Sequence, residues 1–563
     1  MSTQNQSGQP IIIMKEGSSQ TRGRTAQKNN IMAAKLIAEV VKTSLGPRGM
    51  DKMLVDGMGD VTITNDGATI MKEIDVEHPA AKMMIEISKA TDQEVGDGTT
   101  SSVVFAGALL EHAETLLEKN VHSTVIVDGY REAETQALKI LEKIAVKVRA
   151  DDTASLIKVA KTSLRSKLVS DESEELAKIA VNAILAISEK REDGMCVDID
   201  NVKVEKKAGG SIRETHLVEG IILDKEVVHA GMPKKISNAK IALIDSAIEI
   251  EKTEISAEIR ISDPAQMKSF MDEENRMLKS MIDKIVSVGA NTLICQKGID
   301  DIAQHYLAKQ NILTVRRAKQ SDLTKLAKAT GARVVTSLED LTSNDLGKAK
   351  LVEERKLEDD KWVFIEGCVN PKAVSILVRG GSQRIVDEAD RSINDALMVV
   401  KDVVEKPAIV AGGGAPEAYI ANEIRKWSNK LGGREQLAAQ KFADALESIP
   451  AALAENAGMD AIDTQVELRS KQDSGNQWYG IDVLAGKVGD TYKKNILEPV
   501  SVKEQIIKSA TEVASMIIRI DDVISSSKTK APPGPPGGDM GGMGGMGGMG
   551  GMGGMGGMPG MGM

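Results

Sequence analysis

Aromatic residues make up only 2% of the 563-residue chain, so its hydrophobic cores are expected to consist of aliphatic side chains. The three cysteines, Cys196, Cys295 and Cys368, lie far apart and form no CxxC pair, which argues against a disulfide framework or a cysteine zinc site. No apolar run approaches the ~18 residues that span a bilayer, so we expect no membrane segment. The motif GxxxxGK[ST] is also missing, which excludes a Walker nucleotide loop.

The charge balance narrows the classes of partner further. The formal net charge is −10 and the sequence pI is about 5.5, which argues against non-specific binding to nucleic acid and to anionic membranes. Free thiols are typical of a reducing compartment, so we predict a cytoplasmic protein.

The most informative motif that is present is Gly96-Asp97-Gly98-Thr99-Thr100. It lies between two segments of helical period, about 79–94 and 99–118. Two glycines let the backbone approach a bulky anion, and the amides and dipole of the following helix favour negative charge. The threonine hydroxyls are further donors, and Asp97 is a hard oxygen ligand for a phosphate-bound Mg²⁺. The motif predicts a nucleotide triphosphate site, with an ordinary interhelical turn as the alternative.

Two more glycine-rich loops occur far away in the sequence. Ser44-Leu45-Gly46-Pro47 follows an amphipathic helix that Gly46 is expected to end, and Ala411-Gly412-Gly413-Gly414 runs into a helix start. Each loop alone is more often an ordinary helix cap or turn. Together they predict convergence on one ligand.

Several motifs occur in the order and spacing of the chaperonins, which this chain resembles over roughly residues 20–530. Two further motifs narrow the resemblance to the group II branch, in particular to archaeal thermosome subunits. The general motifs are Leu45-Gly46-Pro47, Thr64-Asn65-Asp66-Gly67, Glu77-His78-Pro79-Ala80-Ala81-Lys82, the Gly96–Thr100 loop and Ala411–Gly414. The group II motifs are Gln296-Lys297-Gly298-Ile299-Asp300-Asp301 and Arg434-Glu435-Gln436.

The resemblance implies a multidomain α+β fold. It has a mostly helical equatorial ATPase domain, a small α/β intermediate domain and an α/β apical domain with a helical lid protrusion. The predicted boundaries are a flexible N-terminus at 1–24, an equatorial domain at 25–150 and 405–528, an intermediate hinge domain at 151–220 and 372–404, an apical domain at 221–371, a lid at about 249–278, and a disordered Gly-Gly-Met tail at 529–563.

The residue pattern independently predicts two features of these domains. Met53–Val55 and Val61–Ile63 are expected to form a hairpin. Between residues 240 and 335, apolar runs alternate with helical segments, which is typical of βαβ units and a parallel sheet. No GxGxxG follows the first of these runs, so we reject a dinucleotide-binding domain.

The resemblance also assigns the site residues. The nucleotide would be held by Ser44, Leu45, Gly46, Pro47, Gly96, Asp97, Gly98, Thr99, Thr100, Ser101, Gly412, Gly413 and Glu498, with Asp97 as the Mg²⁺ ligand and Glu498 on the ribose hydroxyls. Asp395, Asp66 and Lys167 would carry catalysis, with Asp390 as a competing choice for the first. Without the resemblance, Asp66 reads as a hairpin-turn residue, Asp395 as a solvated helix carboxylate and Lys167 as a surface charge.

The implied function is that of an ATP-dependent chaperone, an ATPase that uses ATP and Mg²⁺. Its expected partners are unfolded protein clients and identical or sister subunits in stacked rings, with no separate co-chaperonin lid, no nucleic acid and no membrane. One alternative is an ATP-binding holdase or scaffold without turnover. A small-molecule kinase is another, but no residues suggest a dedicated acceptor pocket.

Overall fold

The computed structural model describes residues 19–167, 169–192, 194–250, 264–368 and 372–525. Three hydrophobic cores organise these residues, and two of the cores combine segments that are distant in sequence. The fold is a multidomain α+β arrangement, as the sequence predicts. Residues 251–263 of the predicted lid protrusion and the whole predicted Gly-Gly-Met tail lie outside the described residues.

The first core is mostly helical and joins residues 31–144 to residues 410–518. Its interior is aliphatic, apart from a few rings such as Phe105 and Phe442, whose centroids lie 5.4 Å apart in an edge contact. The amphipathic periods of these segments explain their helical form, since each buries one stripe. The helices are Gly23–Lys42, Gly67–Glu73, Pro79–Val95, Thr99–Glu118, Ser123–Ile144, Ala415–Ser428, Glu435–Leu446, Ser448–Asn456, Ala461–Asp473 and Val500–Ile518.

Small antiparallel sheets flank this core. The predicted hairpin is confirmed, with strands Lys52–Val55 and Val61–Thr64. The other sheets pair Tyr479–Asp482 with Lys487–Asp490, and Ala408–Ala411 with both Leu497–Pro499 and Val146–Lys147.

The two ends of the described chain also pair with each other. Strand Ser19–Arg22 lies antiparallel to Asp522–Ser525, and the helix that follows begins at Gly23. The prediction of a flexible segment up to residue 24 is therefore wrong for 19–24. A partner strand from the far end of the sequence orders these residues, and composition alone carries no signal of such a partner.

The second core combines residues 156–202 with residues 374–409 and with Leu497. Its three-stranded sheet places Val374–Gly380 between the parallel strand Val202–Ala208 and the antiparallel strand His216–Val218. The helices packed with it are Thr153–Leu164, Ser173–Ile187 and Gln383–Glu405, and a short hairpin of Glu189–Arg191 and Gly194–Cys196 lies beside them.

The third core is continuous in sequence, at residues 221–373. The predicted parallel strands are present, as Lys235–Ile244, Thr292–Cys295, Leu313–Val315 and Val334–Val335. The helices between and beside them are Pro264–Ser287, Asp301–Lys309 and Gln320–Thr330.

The sequence analysis missed three strands of this seven-stranded sheet. Gly347–Leu357, Asp360–Cys368 and Gly220–Leu223 extend it in an antiparallel manner, so the sheet is mixed. The first of these strands has a charged, half-buried face that hides its strand period. Across the described ranges, no helix combines the length and apolar character needed to cross a membrane.

Candidate functional site

Two adjoining cavities lie where the first and second cores meet. They share the lining residues Leu45, Gly46, Asp97, Gly98, Ser101 and Ser166. The first cavity is completed by residues that include Pro47, Arg165, Gly413, Ile481, Asp482, Leu484, Glu498 and Lys503. The second is completed by Ser44, Asn65, Asp66, Gly67, Thr99, Thr100 and Lys167. Segments from both ends of the chain therefore converge at one place.

The Gly-Asp-Gly turn joins the helices Pro79–Val95 and Thr99–Glu118. Gly96 and Gly98 have φ values of 65° and 78°, in the left-handed region that other residues rarely adopt. A Cβ at residue 98 would also lie 2.8 Å from Ile506 Cδ1. The first-turn amides of the second helix lack intrahelical acceptors, so with the helix dipole they are suited to bind an anion at the second cavity. Gly96 itself lines neither cavity and shapes the turn.

The loop at Leu45–Pro47 is fixed from the C-terminal half of the chain. The expectation that Gly46 ends the preceding helix is wrong, because the helix already ends at Lys42. Asn456 Nδ2 donates to the carbonyl oxygens of Lys42 and Leu45 at 3.0 and 2.9 Å, which satisfies carbonyls left free at the helix end.

The glycine loop at 411–414 lies against Glu498. Strand pairing places Val410 opposite Glu498, and a Cβ at Gly412 would lie 2.3 Å from Glu498 Oε1. Only a glycine leaves room for the carboxylate at this position. Gly413 and Glu498 both line the first cavity, whereas Gly412 supports it from behind.

A lysine joins two carboxylates at the second cavity. Lys167 Nζ lies 3.0 Å from Asp66 Oδ1 and 2.7 Å from Asp395 Oδ2. Asp66 and Asp395 are each only 9% exposed. Asp66 belongs to the first core, while Lys167 and Asp395 belong to the second, so the cluster spans the junction between them.

The two carboxylates of this cluster have pKa values that are shifted in opposite directions. Burial raises the pKa of Asp395 well above its ordinary value, and Asp66 and Asp97 add to the rise against the opposing pull of Lys167. Burial alone would lower the pKa of Lys167, but Asp395 and Asp66 outweigh it and raise that pKa. For Asp66 the burial effect is overcome by Lys167 and Thr69, which lower its pKa to about 2. Asp395 is therefore the carboxylate best suited to accept a proton.

These placements contradict the simpler interpretations of the three residues. Asp66 is not in the hairpin turn but caps the helix Gly67–Glu73, since its Oδ2 accepts from the Thr69 amide at 2.9 Å. Asp395 is buried, and the side chain of Lys167 is only 10% exposed, so neither is a solvated surface charge. Neither Asp395 nor the competing Asp390 lines a cavity, but Asp395 contacts Lys167, which lines the second cavity, whereas Asp390 pairs with Lys206 at 3.0 Å.

Three further charged residues of the site were missed by the sequence analysis. Lys503 Nζ lies 2.7 Å from Glu417 Oε1 and also contacts Glu498 Oε2. Arg165 lines the first cavity, and within the described ranges its guanidinium has no carboxylate partner. The sequence offered one signal for Lys503, a charged residue next to the apolar face of the helical segment Val500–Ile518.

The residues around Asp97 fit a phosphate-bound Mg²⁺. In the described parts of the chain, no group of three or more His, Cys, Asp or Glu side chains could hold a metal unaided. Magnesium typically takes one or two protein carboxylates and completes its shell with phosphate oxygens and water. Asp97 supplies one carboxylate beside the anion site, with Oδ1 accepting from the Gly98 amide at 2.6 Å.

Comparisons with known proteins show the family of this chain. Residues 37–528 match the model of the TCP-1/cpn60 chaperonin family. The chain is 56% identical to thermosome subunit alpha of Archaeoglobus fulgidus, over 94% of this chain and 97% of that protein. It is 54% identical to a thermosome subunit of Pyrococcus horikoshii, covering 92% and 95% of the two chains. Identity to thermosome subunit beta of Sulfolobus acidocaldarius is 55%, with 92% and 94% covered.

Proposed function

We propose that this chain, which belongs to the TCP-1/cpn60 chaperonin family, binds ATP where the two cavities meet and hydrolyses it to drive protein folding. The chain is a group II chaperonin, an ATP-dependent chaperone. One observation carries the proposal of turnover at this site: a buried lysine holds two carboxylates beside a helix N-terminus that is suited to phosphate.

In this proposal the nucleotide spans both cavities. The triphosphate lies on the amides and hydroxyls of Thr99, Thr100 and Ser101, and the nucleoside lies between Leu45–Pro47 and Gly413, with its ribose on Glu498. Mg²⁺ held by Asp97 would neutralise charge on the phosphates.

The lysine cluster suggests how hydrolysis is switched on. Without nucleotide, Lys167 forms ion pairs with both Asp66 and Asp395. A γ-phosphate competes for the same ammonium group, and the lysine would then stabilise the charge that develops on the phosphoryl oxygens. Release from the lysine leaves Asp395 free to orient the attacking water and accept its proton, a task that suits its raised pKa.

We further propose that the three cores are the equatorial, intermediate and apical domains. Asp66 then belongs to the equatorial domain, and Lys167 and Asp395 to the intermediate domain, so the catalytic cluster is complete only when the two domains are together. Nucleotide would therefore bias a hinge between two states, and hydrolysis would shift it again.

The assembly and partners follow from the same family. We propose stacked rings of identical or sister subunits in the cytoplasm, which enclose unfolded proteins under a lid built from the subunits themselves. Exposed Met267, Phe270, Met271 and Met277 on the helix Pro264–Ser287 supply an apolar surface that suits non-native clients.

The test measures particle size, ATP hydrolysis and client refolding on the full-length protein. A ring particle that hydrolyses ATP and refolds a denatured enzyme only when ATP is present supports the proposal. A stable 60.2 kDa monomer would overturn the ring. ATP binding with no detectable hydrolysis would favour the holdase alternative.

A further inference from the structure

Lys503 is buried between two carboxylates of the first core. Lys503 and Glu417 are only 6% and 3% exposed. The ammonium group lies 2.7 Å from Glu417 Oε1 and also contacts Oε2 of Glu498. Burial alone would lower the pKa of Lys503, but Glu417 and Glu498 outweigh it and raise that pKa. The lysine is therefore charged at neutral pH.

The two carboxylate oxygens of Glu498 have different neighbours. Oε2 is held by Lys503, whereas Oε1 lies against Gly412, in the glycine loop beside the first cavity. Among the described residues, Glu498 has no other ion-pair partner. Oε1 is thus the oxygen left to accept hydrogen bonds from a ligand in the cavity.

We propose that Lys503 is a positioning residue for sugar recognition: its ammonium group favours the ionised form of Glu498 and holds the carboxylate in one orientation, so that Oε1 can accept from the ribose hydroxyls of the nucleotide. The inference rests on the proposed function, because it concerns the ribose of the bound ATP.

Removal of the lysine would disturb Glu498 in two ways. Two carboxylates would lie close together in a buried place without a cation, so one of them would take up a proton. A protonated or reoriented Glu498 no longer presents a fixed acceptor to the sugar. Contacts to the phosphates and to the base remain, so the loss is specific to the ribose hydroxyls.

The test compares ATP with 2′,3′-dideoxyATP as substrates of the assembled, full-length protein. In the wild type we expect a KM for the dideoxy analogue that is about tenfold higher than for ATP, since hydrogen bonds to a charged group are lost. In Lys503→Met, the KM for ATP should rise about tenfold while the KM for the analogue and both kcat values stay within about twofold. The ratio of the two KM values should then approach one.

Two further variants make the result decisive. Lys508→Met changes an exposed lysine on the same helix and should keep the wild-type ratio. The double variant Lys503→Met with Glu417→Gln no longer places two carboxylates together without a cation. It is therefore expected to fold even if Lys503→Met alone does not. A wild-type KM ratio in either folded Lys503 variant overturns the inference. A wild type that hydrolyses neither nucleotide would instead overturn the proposed function.

Discussion

The two ends of the proposed nucleotide site contain the same charges in different arrangements. At the phosphate end, Lys167 lies between Asp66 and Asp395. At the ribose end, Lys503 lies between Glu417 and Glu498. Each cluster is one buried lysine with two carboxylates. The members of the first cluster come from two cores. In the second cluster, Lys503 and Glu417 lie on two helices of the first core, and Glu498 lies on the strand Leu497–Pro499 beside it.

This difference indicates a division of labour. A cluster inside one core keeps its geometry when domains move, so the ribose end is preformed for binding. A cluster that spans two cores is assembled only in the closed arrangement, so the phosphate end can make hydrolysis depend on domain position. Variants at the phosphate end should therefore change kcat, and variants at the ribose end should change KM.

The largest expected effect is at Asp395. Asp395→Ala should lower kcat for ATP hydrolysis by about 10²–10⁴-fold, because the proton acceptor for the attacking water is lost. ATP affinity, measured by equilibrium binding, should change little. Asp390→Ala, on the same helix and paired with Lys206, is the matched control and should keep its activity. Unchanged turnover in Asp395→Ala would refute the assignment.

Lys167→Met should have the next largest effect. It should lower kcat about 100-fold, because a charge that stabilises the reacting phosphate is removed. It should also lower thermal stability, since Asp66 and Asp395 then face each other without a cation. Lys161→Met on the preceding helix removes only a surface pair with Glu174 and is the control. A change in KM alone would contradict the division described above.

A smaller and different effect is expected at the ribose end. Gly412→Ala would place a Cβ 2.3 Å from Glu498 Oε1 and displace the carboxylate. We expect the KM for ATP to rise about tenfold with little change in kcat. Gly432→Ala is a suitable control because a Cβ there has no neighbour within 4 Å. A variant whose kcat falls while its KM stays constant would argue against a preformed ribose end.

The smallest effect concerns a contact that links the two ends. Asp402, on the second-core helix Gln383–Glu405, accepts from Ser501 Oγ at 3.0 Å, and Ser501 lies on the helix of Lys503. Burial raises the pKa of Asp402 from 3.8 to about 7, with smaller contributions from Glu405 and Asp97 and opposition from Ser501 and Lys401.

Because the folded-state pKa of Asp402 is raised, its stabilising contribution is complete below the unfolded pKa and is lost as the pH rises through about 7. The wild-type Tm should therefore fall between pH 5 and pH 8 by about 2–4 °C more than that of Asp402→Asn. Asp473→Asn, at a surface ion pair with Lys426, should behave as the wild type. If the Tm of Asp402→Asn and the Tm of the wild type change equally with pH, Asp402 does not contribute to the pH dependence of stability.

Local patterns were sufficient for much of the fold. The helices on both sides of the Gly-Asp-Gly turn and the hairpin at 52–64 follow from apolar period and turn residues. The parallel strands between 235 and 335 follow from short apolar runs. The antiparallel strand Gly347–Leu357 was missed because Lys, Glu and Arg occupy most of its exposed and half-buried positions.

The charged clusters could not be derived from local patterns. Lys167 and Asp66 are separated by 101 positions, and Lys503 and Glu417 by 86, so only the folded chain brings them together. The burial of Asp395 depends in the same way on packing between two cores. The family resemblance supplied the first cluster residue by residue, but it did not point to Lys503 or Glu417.

The nesting of the three cores has a consequence for biosynthesis. The third core needs only residues 221–373, so it can close soon after that stretch leaves the ribosome. The first core also needs residues 410–518. Its five N-terminal helices therefore keep exposed the apolar faces that pack against those residues until nearly the whole polypeptide has been synthesised. The proposed nucleotide pocket is therefore among the last parts to be completed, and each nascent copy of this chaperonin passes through an aggregation-prone stage of its own.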